Sequence, residues 1–379
     1  MTPAEILGYF EQRTPEITDS IRALVDIESP SFDPQQSSKV ADWIVAQVSE
    51  IDPSITIERI TADGVGEHVI IRAFPGDDKP VLLLGHTDTV HPRGTHERNP
   101  TRIEDDKLYG CGIFDMKSGV VLMLEALRYF STHGIKPSRP INILLSCDEE
   151  VGSETGRLLV EREAAKAETC LVLEPSAAGK VKTGRKGTGM FQLAAHGKQA
   201  HAGLEPEKGI NAVAELARQI DRIHAIERTE LGTTVNVTTF HGGTVLNVIP
   251  ELAVCDIDVR YTQTDEATRI ENEFRSLSAI DAQVSLELTG GINRPPLERT
   301  DDVISLYEKA RDLAASFYYE LGEAQVGGGS DGNFVAALGT PVLDGLGITG
   351  DGAHTLHEHI LVSDIAKRAT LVTLLLLNI

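Results

Sequence analysis

A chain of 379 residues is too long for one ordinary hydrophobic core, so two domains are expected. Apolar residues make up 41% and charged residues 24%, the balance of a soluble globular protein. The formal charge of −22 disfavours nucleic acid and anionic membranes as partners, because both need a basic surface, and it makes any local cluster of Lys and Arg conspicuous.

The first residues, MTPAEILGYFEQRTPEI, lack the charged-then-apolar pattern of a secretion signal. No stretch approaches the roughly 20 apolar residues of a membrane span. Cys111, Cys147, Cys170 and Cys255 are scattered without a C-x-x-C pair, which suggests free thiols and a cytoplasmic location.

Residues 3 to 27 read as one or two amphipathic helices, with Pro15 suited to a first helical turn. Val40, Ile44, Val45 and Val48 recur at helical spacing and predict a helix over 36–50. Two alternating stretches, 55–60 and 69–74, read as strands. The apolar run VLLL, 81–84, reads as a buried strand that delivers His86 and Asp88 where it ends. In open α/β sheets, the carboxyl ends of strands are where sites are built.

Further along, GCGIFDMKSGV places Asp115 just before a helical pattern that runs from Met116 to Phe130. Asp115 therefore has an ordinary reading as a helix N-cap. INILLS, 141–146, is another buried strand and ends in CDEEVGS; LVLE, 171–174, repeats the device with Glu174. Adjacent acids at one strand end are usually solvated, but three strands ending in acids or histidine are hard to read as decoration.

From about 185 the pattern becomes strand, helix, strand, strand, helix, strand, the order of a ferredoxin-like sandwich. The expected organisation is a catalytic domain in two parts, 1–184 and 296–379, with an α+β domain inserted at 185–295. The catalytic domain is expected to be α/β, with a mixed, mostly parallel sheet flanked by helices. After the insert come a helix near 301–320, the loop GGGSDGNF, a strand-like PVLDGLG, the segment GDGAHTLHEHI and a last helix over about 363–378.

Collected, the candidate residues are His86, Asp88, Asp115, Glu149, Glu150, Glu174 and His354. Imidazole mixed with carboxylate suits zinc or a similar divalent ion, and the absence of thiolates disfavours a purely structural zinc site. Two histidines and three acids exceed one open tetrahedral site. They fit two ions about 3.5 to 4 Å apart sharing a carboxylate, an arrangement that activates water and polarises a carbonyl. One of the adjacent Glu149 and Glu150 then serves as ligand and the other as general base.

GHTDTV, GCGIFDMKSG, SCDEEVGS, LEPS, QAHAG, LNVIP, VRY, GGGSD and GAHTLHE stand in the order and at about the spacings of the M20 di-zinc metallopeptidases. The chain resembles that family from roughly residue 70 onward, and within it the glutamate carboxypeptidases of the carboxypeptidase G type. The resemblance implies two zinc ions per subunit, one held by His86, Asp115 and Glu174 and the other by Asp115, Glu150 and His354. It also implies that Glu149 is the general base and that Asp88 orients His86. Where some relatives carry a second acid after the bridging aspartate, this chain has Met116, which leaves the local hydrogen bonding open.

The inserted domain is similar to the family's lid and dimerisation domain, which implies a homodimer in which His201 reaches the partner's active site and donates to the oxyanion. Arg294 matches the position that grips the substrate's α-carboxylate, a job suited to a guanidinium fork. Asn247 and Arg260 match lid residues near the site, although Arg260 has Asp256 and Asp258 as alternative partners. Lys182, Arg185 and Lys186 form a basic knot suited either to a glutamate side chain or to a solvated turn. Gly327 to Gly329, with Ser330 and Asp331, are expected to let the backbone approach the substrate.

These residues together imply zinc-dependent release of a C-terminal amino acid, glutamate first, from N-acyl or peptidyl groups. The alternatives are deacylation of an N-acyl amino acid such as acetylornithine, a dipeptidase or aminoacylase activity, and a metal-binding protein without catalysis.

Overall fold

The apolar runs VLLLGH and INILLS lie side by side as the parallel strands Val81–His86 and Ile141–Ser146, and Thr169–Val172 joins the first from its other side. This is the centre of a six-stranded sheet in the computed structural model, which describes residues 1–379. Its order is Thr56–Ala62, Gly66–Ala73, Ile141–Ser146, Val81–His86, Thr169–Val172 and Val342–Leu343. The last four pair in parallel, and the hairpin of the first two attaches antiparallel at one side. Every residue of Val81–His86 is buried, which explains why the strand is apolar without alternation.

Register decides where the chemistry emerges. His86 stands opposite Ser146, and Leu84 opposite Val172, so the residues that follow Ser146 and Val172 leave the sheet at the level of His86. Helices Pro3–Val25, Pro34–Ile51, Ser118–His133 and Ile365–Asn378 contribute to the core around this sheet, through residues such as Phe10, Ile44, Leu127 and Leu375.

The first helix is continuous, so Pro15 lies in its interior and not in a first turn. Proline removes an N–H and crowds the carbonyl four residues earlier, but Pro15 and Glu11 both face solvent. The buried stripe of Ile6, Phe10, Ile17 and Ile21 carries the helix through. The strand expected in PVLDGLG shrinks to Val342–Leu343.

The chain separates into two units: Met1–Gly184 with Arg299–Val326 and Ser330–Ile379, and Arg185–Glu298 with Gly327–Gly329. In the second, four antiparallel strands are ordered Thr234–Gly242, Leu252–Tyr261, Gly187–His196 and Ser285–Arg294. With helices Ala212–His224 and Thr264–Arg275 they form the ferredoxin-like topology, around a separate core that includes Phe191, Leu216, Tyr261 and Phe274. No helix of the chain is long and apolar enough to cross a membrane.

Candidate metal centre

His86 closes the central strand, and its surroundings fix it from three sides. Its peptide N–H donates to Met116 Sδ at 3.3 Å, which settles the local bonding where relatives carry a second acid. A side chain at Gly85 would collide with Met116 Cε, so the glycine makes room for that sulfur. The ring Nδ1 lies 3.0 Å from the carbonyl oxygen of Asp88 and 3.4 Å from its carboxylate. The nearer partner is therefore the carbonyl, a refinement of the orienting role expected of the Asp88 side chain. With Nδ1–H directed there, Nε2 faces Asp115 Oδ1 at 3.1 Å and Glu174 Oε1 at 3.3 Å.

Asp115 sits on a tight, irregular turn, Ile113–Lys117, that includes a cis Asp115–Met116 peptide. Gly112 enters the turn with φ of 73°, a conformation that glycine adopts without steric cost. The following helix begins at Ser118 with Lys117 at the cap position, so the N-cap reading of Asp115 is overturned. Its carboxylate is committed elsewhere: Oδ1 faces His86, and Oδ2 lies 3.4 Å from His354 Nε2. One aspartate thus stands between two histidines that are 268 positions apart in the chain, numbers 86 and 354.

Glu149 and Glu150 lie on a single 3₁₀ turn, Glu149–Val151, just beyond Ser146. Asp88 holds that turn, because its Oδ1 accepts the Glu149 N–H at 3.1 Å and its Oδ2 the Glu150 N–H at 3.2 Å. Ser31 Oγ donates to the same Oδ2 at 2.7 Å. Glu150 Oε2 is 3.1 Å from His354 Nε2, while the carboxylate of Glu149 groups with His86 and Glu174, ligand atoms all within 4.8 Å of one another. Asp331 braces the same segment by accepting from Ser146 Oγ at 2.8 Å and from Ser153 Oγ. Ser330 and Asp331 of the GGGSD loop are themselves buried.

The electrostatics of the cluster favour added positive charge. Burial works against a charged His86, yet hydrogen bonds to Asp115, Asp88 and Glu174 outweigh it and raise its pKa well above the ordinary value. Hydrogen bonds to Asp115 and Glu150 lift His354 to about 10. Burial opposes the charge of Asp115, but the two histidines hold its pKa well below the usual carboxylate range. Burial pushes Glu150 up, and its Oε1 is buried without a hydrogen-bond partner. Two imidazoles and three carboxylates with a buried orphan oxygen form a donor set that fits hard or borderline divalent cations, which would replace the protons these groups otherwise attract.

The remaining expected residues divide between the units. Lys182 belongs to the first, in strand Val181–Arg185, where it is buried and its N–H donates to the Asp344 carbonyl. Arg185, in the second unit, is buried too and donates to the carbonyls of Gly328 and Gly329 at 3.3 and 3.0 Å. The basic residues 182 and 185 therefore do not form a solvated turn. Arg260 forks onto Asp258, with contacts of 2.8 to 3.1 Å, the pairing offered as the alternative to substrate contact.

Arg294 ends strand Ser285–Arg294, is buried, and donates to Asn293 Oδ1 at 3.0 Å. Asn247 is exposed, and its carbonyl accepts the Ala202 N–H. His201 is exposed on the short ladder Ala200–His201, with Nδ1 accepting the N–H groups of Gly203 and Leu204 at 3.1 Å each. That fixes its tautomer with the proton on Nε2. His357 and His359 stay outside the cluster, the latter bonded to the former's carbonyl.

Clustered imidazole and carboxylate at the carboxyl ends of a mostly parallel sheet, with a further acid alongside, define the class as a metal-dependent hydrolase. The profile of peptidase family M20/M25/M40 matches residues 82–378, and the chain belongs to this family. It is 29% identical over 377 residues to carboxypeptidase G2 of Pseudomonas sp. (strain RS-16), covering 96% of this chain and 89% of that one. It is 32% identical over 340 residues to a succinyl-diaminopimelate desuccinylase of Xanthomonas oryzae pv. oryzae (strain PXO99A), covering 81% and 88%. Among solved structures, aminopeptidase PepT of Bacillus cereus ATCC 10987 has a TM-score of 0.76 at 22% identity, covering 96% of this chain and 98% of that one. The M20 family metallo-carboxypeptidase Sso-CP2 of Sulfolobus solfataricus has a TM-score of 0.75 at 16% identity, covering 96% and 99%. The protein is thus a metal-dependent peptidase or amidohydrolase of the M20 type.

Proposed function

We propose that the protein is a cytoplasmic, homodimeric enzyme that uses two zinc ions to release a C-terminal amino acid, preferentially glutamate, from N-acyl or peptidyl substrates. The observation that carries this reading is Asp115, whose two carboxylate oxygens each face a different histidine. His86, Asp115 and Glu174 would hold one ion, and Asp115, Glu150 and His354 the other. When bound, such a pair of cations polarises the scissile carbonyl and lowers the pKa of a nearby water.

The chain's own residues supply the rest. Glu149 takes the proton of the attacking water, since its turn is fixed by Asp88 and Glu150 does the ligating. Glu149 then returns that proton to the leaving amine. His201 of the partner subunit donates Nε2–H to the developing oxyanion, a contact of the kind that contributes about 3 kcal/mol of transition-state stabilisation. Arg294 takes the α-carboxylate of the departing residue. Similarity to carboxypeptidase G2 across most of both chains supports the carboxypeptidase direction.

The test is an assay of metal-stripped protein, reloaded with zinc, against acyl-glutamates, other acyl-amino acids, N-acetylornithine and succinyl-diaminopimelate. Activity should return as two equivalents are added and should be greatest on acyl-glutamates. Faster cleavage of N-acetylornithine or succinyl-diaminopimelate would overturn the substrate assignment, and no activity on any of them would overturn the hydrolase.

A further inference from the structure

Glu358 accepts a dense set of hydrogen bonds beside the cluster, and the reading above gives its side chain no part in the reaction. It is fully buried. Its Oε1 accepts the backbone N–H groups of Phe114 and Asp115 at 2.8 and 2.9 Å. Its Oε2 accepts the N–H of Gly112 at 2.8 Å and lies 2.8 Å from His91 Nε2. Its own carbonyl accepts the N–H of Gly110 at 3.2 Å. A buried carboxylate is costly unless it is paired and hydrogen-bonded, and here both conditions are met by groups from distant parts of the chain.

Those groups come from segments that also deliver the cluster. His91 follows Asp88 by three residues, the N–H donors are the turn that presents Asp115, and Glu358 follows His354 by four. Between the last two, the Glu358 N–H donates to the Thr355 carbonyl and the Thr355 N–H to the Gly352 carbonyl, so the loop is closed on itself. Glu358 is the point at which all three segments are tied.

We infer that Glu358 is the positioning residue that makes Asp115 a bridge, by fixing the backbone from which its carboxylate reaches both histidines. The inference rests on the two-ion reading above. A side-chain amide at this position keeps one acceptor and turns an NH₂ toward backbone N–H groups, so the turn must shift. The half of the cluster with the more exposed histidine, His354, has less else to hold it.

The test uses the full-length protein stripped of metal and titrated with Co²⁺, followed by calorimetry and by the visible and EPR spectra of the bound ions. Wild type should bind two equivalents with the spectral signature of a coupled pair. Glu358→Gln should bind the first equivalent much as wild type does and the second about 10- to 100-fold more weakly, with the coupling lost. Two equivalents bound as in wild type, with coupling intact, would overturn the inference, as would a uniform weakening of both. If wild type itself fails to bind two ions, the fault lies with the proposed function instead.

Should Glu358→Gln fail to fold, hydrogen exchange of the metal-free wild type decides. The amides of Gly112, Phe114 and Asp115 should be strongly protected, and exchange at the rate of open backbone would overturn the inference.

Discussion

The two histidines of the cluster are chemically alike and structurally opposite. His86 ends a central strand with its side chain 1% exposed, while His354 sits in a loop at φ of 65° with its side chain 53% exposed. The first is placed by the hydrophobic core, through a strand buried on both faces. The second is placed by polar contacts, with Asp115 and Glu150 at its ring and Glu358 behind its loop. One half of the centre is therefore inherited from the fold, and the other is assembled on it.

The largest effect should come from Glu149, the proposed base, which the reading above leaves out of both ligand sets. Glu149→Ala should lower kcat by about 10²- to 10⁴-fold while both ions remain bound, measured by steady-state kinetics beside metal analysis. Unchanged turnover at full occupancy would remove the base from the mechanism. The histidines themselves should part company in the stability of the metal-free protein. His86→Ala breaks a buried, fully partnered cluster and should cost about 3 kcal/mol in denaturant unfolding. The contacts of His354 are half screened by solvent, so His354→Ala should cost about 1 kcal/mol or less. Equal losses would erase the distinction drawn here.

A smaller contrast lies in the neighbours. Gly85→Ala drives a methyl into Met116 and should destabilise by about 1–3 kcal/mol, whereas Leu356→Ala, beside His354 and exposed, should stay within about 0.5 kcal/mol. The last effect is one of slope against pH, and it concerns His91. Burial opposes its charge, but hydrogen bonds to Cys111 and Glu358 raise its pKa from 6.5 to about 9. A pKa raised on folding stabilises the protein fully at low pH, below the unfolded value. That share of stability should therefore fade as pH rises from about 6.5 to about 9 in unfolding of the metal-free protein, and His91→Gln should flatten this slope.

The sequence and the structure agree where apolar runs end in polar residues. VLLLGH, INILLS followed by CDEE, and LVLE are legible because a strand buried on both faces must be apolar, so its polar terminus stands out. The six-element order of residues 187–294 is legible for a related reason, since alternation and helical spacing are local signals. Glu358 and His91 are not legible in this way. Their partners are backbone N–H groups and each other, and no residue pattern reports where a distant turn directs its amides. Pro15 misleads because a proline's effect depends on which face of the helix it occupies. For Lys182 and Arg185 only the solvated-turn alternative fails, because a cluster of cations in a sequence carries no sign of its burial. Asp115 is the sharpest case, since a carboxylate ahead of a helix has the same local sequence whether it caps the helix or turns away.

The central strand also bears on which changes the chain tolerates. Val81 to Leu84 are enclosed on both sides, so a slip of one residue would expose no oily surface and would meet little resistance from hydrophobicity. Alignment must come from the punctuation at the end, where Gly85 admits the Met116 sulfur and His86 meets its acids. Exchanging one aliphatic residue for another inside the strand is then a mild change, but inserting a single residue there would carry the imidazole past every group waiting for it.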